Sequence, residues 1–134
     1  MLPVLAARAS AVLMVGIAAF QVALFFGAPW GAYTQGGETD GALDTSGRVL
    51  AAVSCVILLV MATAILARVR EGPLKNAPGR LVTALAWFTM LYSSLAVVLN
   101  LATRSSSERA VFAPTAILLF VLVVSTMVGS RRTR

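Results

Sequence analysis

Residues 49–67 read VLAAVSCVILLVMATAILA, a run without a charge held between Arg48 and Arg68. At a helical rise of 1.5 Å per residue such a run reaches about 28 Å, the thickness of the hydrocarbon core of a bilayer. Working outward, three more charge-free apolar runs occur at residues 9–28, 81–103 and 110–130. A chain of 134 residues has too little polar sequence left to wrap four such helices in a soluble shell. Runs of about ten residues with strict alternation, the mark of a membrane-spanning strand, are not what these segments show. The expected fold is all-α: one membrane domain, 1–134, forming a four-helix transmembrane bundle.

The composition agrees, with 59% hydrophobic and 12% charged residues. Ten Arg and one Lys against five acids give a net charge of +6. The basic residues flank the apolar runs, where arginine stems lie in the apolar zone and the guanidinium reaches the headgroups. The charge therefore reads as topology rather than as a nucleic-acid footprint, and no nucleic-acid partner is expected. Arg8, the loop cations Arg68, Arg70, Lys75 and Arg80, and Arg131, Arg132 and Arg134 make eight on one side; Arg48, Arg104 and Arg109 make three on the other. That bias predicts an N-in/C-in orientation with both termini cytoplasmic.

The connections are an outer loop at 29–48, PWGAYTQGGETDGALDTSGR, a short basic cytoplasmic loop at 68–80, RVREGPLKNAPGR, and an outer hairpin at 104–109, RSSSER. Gly and Pro punctuate the first two, and Ser105, Ser106 and Ser107 are suited to cap the last helix. The first run continues through Phe25 and Phe26 with no A-x-A pattern before Pro29, so it is read as an uncleaved first helix. Comparison of the first helix pair with the second shows no internal repeat.

Small residues mark where membrane helices approach closely. Gly16, Ala19, Ala23 and Gly27 form such a stripe on the first helix, and Thr89, Ser93, Ala96 and Asn100 on the third. These two stripes are expected to make the central contact of the bundle. Gln21 and Asn100 are the strongest polar groups inside the spans, and an amide facing lipid would leave its donors and acceptors unsatisfied. Both are expected to point inward near one depth, either bonded to each other or lining a ligand site that Tyr92 and Ser93 extend. Trp30 and Tyr33 follow Pro29 where amphipathic rings sit at an interface, with a lid over Gln21 and Asn100 as the alternative. Arg104, Glu108 and Arg109 form a compact outer charge group, with Glu108 in the first turn of the last helix, where a carboxylate suits the dipole. That group is either solvated or docked on the first loop.

The chain has no His and one cysteine, Cys55, which removes imidazole bases, disulfides and most zinc or haem ligand sets. Glu38, Asp40 and Asp44 lack the ligand pattern of a calcium loop, no catalytic signature occurs, and all five acids lie in loops or at helix ends, away from the midplane where a proton-coupled carrier needs one. No cofactor and no metal are expected.

The pattern GAPWGAY, QGG, an Arg opening the second helix, and NLATRSSSERAVFAP joining the third helix to the fourth resembles an uncharacterised group of small four-span bacterial integral membrane proteins. The resemblance rests on Gly27, Pro29, Trp30, Gly31, Gly37, Arg48, Asn100, Ser105, Glu108, Arg109 and Pro114. It implies the bacterial inner membrane and supplies no activity. The residues together suggest a non-enzymatic protein whose partners are the lipid bilayer and either a second copy of itself or another membrane protein. The alternative is a passive carrier or binding protein for a small neutral or lipidic molecule on the outer face.

Overall fold

The computed structural model describes residues 1–132. Four α-helices follow one another: α1 (Leu2–Phe25), α2 (Thr45–Arg68), α3 (Gly79–Ala102) and α4 (Ser106–Arg132). Each is long and apolar enough to cross a membrane. Two short 3-10 turns, Gly31–Tyr33 and Gln35–Gly37, interrupt the long loop between α1 and α2. Large apolar side chains such as Val12, Val56, Leu91 and Leu118 remain exposed on every helix, as expected of a bundle whose solvent is lipid and unlike a soluble domain of this size.

The helix ends depart from the expected ones for local reasons. The first helix begins at Leu2 rather than at residue 9, because Pro3 is tolerated in a first turn and Arg8 finds a carboxylate partner in Glu71. It stops at Phe25 rather than 28. Gly27, at φ 96°, takes the left-handed position that ends the helix, with its N–H bonded to Leu24 O and that of Ala28 to Ala23 O at 3.0 Å. Gly27 is thus a helix stop and not part of a packing stripe. At α2 the Asp44 carboxylate accepts the Gly47 N–H at 2.8 Å, which moves the start from 49 back to Thr45. The last helix starts at Ser106 instead of 110, because Ser105 caps it through the Glu108 N–H at 3.0 Å.

The helices form a ring in chain order, closed by α1 against α4, so α1 and α3 lie across it from each other. The expected central contact between their small-residue stripes is therefore not made. Gly16 and Ala19 face outward, and Ala23 is only half-buried. The buried stripe of α1 is Ala7, Ala11, Met14 and Ala18, at the same helical spacing but turned to the core. On α3 the expected stripe does turn inward: Thr89 and Ser93 are buried beside Ala86, and Ala96 is half-buried. Met14, Met61 and Met127 fill the space that alanines leave between the helices.

Besides the Arg8–Glu71 pair, two arginine contacts fasten the end where α1 starts and α2 stops. Arg68, expected among the loop cations, is instead the last residue of α2 and is buried, donating to Ser130 Oγ at 3.0 Å and to Thr83 Oγ1 at 3.4 Å. It joins α2, α3 and α4 at one level. Arg131 lies over the Trp87 ring at 5.4 Å, a cation–π contact between α4 and α3.

Candidate functional site at the long-loop end

At the other end the hairpin after α3 and the loop after α1 are bound to each other. Ser105 Oγ accepts the Glu108 N–H and donates to the Ala32 carbonyl at 2.6 Å. A Ser followed three residues later by Glu is a capping box, but here the Glu108 carboxylate does not return to the Ser105 N–H. Its Oε2 takes the Thr103 hydroxyl at 2.6 Å and the Gly36 N–H at 3.1 Å, and Thr103 Oγ1 receives the Ser105 N–H at 3.3 Å. The carboxylate therefore bridges the two loops, and of the two readings of this charge group the structure has the docked one for Glu108. Arg104 stays exposed, and the Arg109 guanidinium donates to the Thr103 carbonyl.

The long loop is braced within itself. Gln35, in a left-handed backbone conformation at φ 52°, sends its side-chain amide to the Gly47 carbonyl at 2.9 Å. Arg48 Nε bonds the Leu43 carbonyl at 3.0 Å, and the Gly31 N–H bonds Gly41 O at 2.7 Å. Gly37 sits at φ 67°, and a Cβ there would stand 2.5 Å from that of Ser105, so only glycine permits this approach.

Beneath the braced loop the four helices part around a cavity of about 160 Å³. Gln21 enters it from α1, Ser54 from α2, Tyr92, Ser93 and Asn100 from α3, and Glu108 and Thr115 from α4, with Tyr33 and Thr34 of the loop above. Phe20, Phe112, Leu58 and Leu119 supply apolar wall. From the end of α3 down to Tyr92 is ten residues, so the hollow reaches about 15 Å into the bundle. The Asn100 amide donates to Ala96 O at 2.8 Å, which leaves its oxygen to the cavity. Among the described residues Gln21, Ser54 and Tyr92 make no side-chain hydrogen bond. All three are half-buried and none of their polar atoms is sealed from the hollow, so an amide and two hydroxyls on its wall stay open to a ligand.

Most of the expected site residues come together here. Gln21 and Asn100 share the cavity without bonding to each other. Trp30 does not cover it; its ring stacks on Phe20 at 5.9 Å and 4°, outside the wall. Tyr33 and Thr34 provide the cover instead. Arg104 and Arg109 do not line the cavity. Phe20, Ser54, Phe112 and Thr115 belong to it and were not singled out from sequence. Phe20 and Phe112, with centroids 5.1 Å apart, close the wall between α1 and α4. No family model, curated protein or solved structure matches the chain.

Proposed function

We propose that this is a multi-pass protein of the bacterial cell membrane that binds a small neutral or lipidic molecule at the long-loop end of its bundle, without transforming it. The observation that supports the reading is the convergence of the Gln21, Ser54 and Tyr92 polar groups on one cavity while each lacks a protein partner. Gln21→Leu and Asn100→Leu are expected to abolish binding or uptake while membrane abundance stays that of the parent. Equal loss of abundance would reduce these amides to folding elements. The eight-to-three basic count favours cytoplasmic termini. Reporter fusions at the C-terminus and near Gly37 are expected to report opposite sides.

A second reading, an accessory subunit or homo-oligomer, is favoured by the outward turn of the α1 stripe. A Cβ at Gly16 would meet nothing within 4 Å, and Ala19 is exposed beside it, so this face offers another helix a close approach. Crosslinking in mild detergent is expected to trap a partner or a second copy through this face. Recovery of monomer alone would remove the reading.

A further inference from the structure

Two hollows meet at the long-loop end. Beside the cavity lies an open cleft of about 730 Å³ whose wall includes Leu95, Leu99 and Ala102 of α3 and, at its upper rim, Gln35, Gly36 and Arg104. Cavity and cleft share Tyr92, Ala96, Asn100 and Glu108. The first three follow at four-residue spacing on one stripe of α3. Ala96, between two larger side chains, is the low point of the wall that separates the hollows.

The approach from water is the guarded one. Tyr33 and Thr34 lie above the cavity, Thr34 is buried, and the loop that carries them is held by the bonds from Ser105 to Ala32 and from Gly36 to Glu108. The lateral approach is open. Leu95 and Leu99, on the wall of the cleft, are 54% and 58% exposed on a helix apolar enough to span a membrane.

We infer that the cavity is filled from within the bilayer, over Ala96, by an uncharged single-chain amphiphile: its hydroxyl- or carbonyl-bearing head lies among Gln21, Ser54, Tyr92 and Asn100, and its hydrocarbon chain lies along Leu95 and Leu99. The inference rests on the binding reading above and adds the ligand class and the route. The head is uncharged because the cavity offers it amides and hydroxyls and no cationic side chain, while the one carboxyl on its wall, Glu108, is already engaged with Gly36 and Thr103. A volume of about 160 Å³ is close to that of the roughly 150 Å³ cavity that accommodates benzene, so the head has about six heavy atoms, the size of a glyceryl group.

The test uses the full chain in phosphatidylcholine vesicles containing a monoacylglycerol with a photoactivatable diazirine in its chain. Labelling is expected on α3 around Leu95 and Leu99, competed by unlabelled monoacylglycerol and not by glycerol. Ala96→Phe is expected to lower it about tenfold, equivalent to about 1.4 kcal/mol of binding, with Ala96→Val intermediate and Leu101→Phe, away from the cleft, unchanged. Helical content and melting of each variant in detergent separate closure of the route from misfolding. If glycerol competes as well as the lipid and both Ala96 variants label normally, the cavity is filled from water, and the lateral route falls while the binding reading stands. If neither unlabelled lipid nor Gln21→Leu lowers labelling, both fall.

Discussion

Ser105 and the Ala32 carbonyl are 2.6 Å apart, although 73 residues separate them in sequence. The same hydroxyl caps α4 through the Glu108 N–H. One oxygen atom therefore serves both the start of the last helix and the seating of the long loop, beside the Gly36–Glu108 bond. The loop cannot lift without releasing the cap's hydrogen-bond donor.

Ser105→Ala removes the cap and the loop contact together. It is expected to cost about 1–2 kcal/mol, read as a lower melting temperature in detergent, with faster amide exchange at Gly36 and Gly37. Gly37→Ala attacks the same junction from the loop side. Its positive φ and the closeness of Ser105 predict a loss of about 1–3 kcal/mol. An unchanged exchange pattern in both variants would show that the junction does not hold the loop.

Acid is expected to loosen the opposite end. The Arg8 guanidinium bonds the Glu71 carboxylate at 2.8 and 3.0 Å and holds its pKa below the usual glutamate value. A carboxyl whose pKa is lower in the folded state contributes stability that is fully present above its unfolded value of about 4.3 and is lost as pH falls through the folded value. The Asp44 carboxyl acts in the same direction, lowered chiefly by the Gly47 N–H and then by the Ser46 hydroxyl. Melting temperature is expected to fall below about pH 4.5, and Glu71→Gln to remove part of that slope, its effect adding to that of Ser105→Ala at the other end.

Arg70→Gly is expected to stabilise the fold. Arg70 is a non-glycine residue at φ 61° that closes α2, with its N–H on Ala67 O and that of Glu71 on Leu66 O, both at 3.0 Å. Glycine takes this left-handed position without the side-chain clash, a gain of about 1 kcal/mol. A lower melting temperature would mean that the arginine side chain contributes more than its backbone strain removes.

The four spans were legible because a charge-free run such as 49–67 has no other way to satisfy its backbone. Which way each helix faces was harder to read. In lipid both sides of a helix are apolar, so hydrophobic period does not mark the core, and α1 carries small residues on two faces. Spacing alone favours Gly16 and Ala19 equally with Ala7, Ala11 and Ala18, which are the buried ones. Polar residues were the better guide: Gln21, Tyr92, Ser93 and Asn100 all reach one cavity, because an amide or hydroxyl facing lipid is penalised wherever it lies. What local pattern does not carry are pairings across the chain, such as Arg8 with Glu71 or Gly36 with Glu108. Phe20 and Phe112 passed as ordinary span residues since an aromatic ring in a membrane helix is unremarkable until its neighbour is known.

The parallel stack of Trp30 on Phe20 places an indole against the outer side of a cavity wall. The chain has two tryptophans, and the other, Trp87, lies under Arg131 at the far end of the bundle. Replacing Trp87 by Phe leaves Trp30 as the single tryptophan, whose emission depends on how Phe20 is seated. The protein thus carries its own optical probe, and a titration followed by emission wavelength would register a molecule entering the hollow without any label attached.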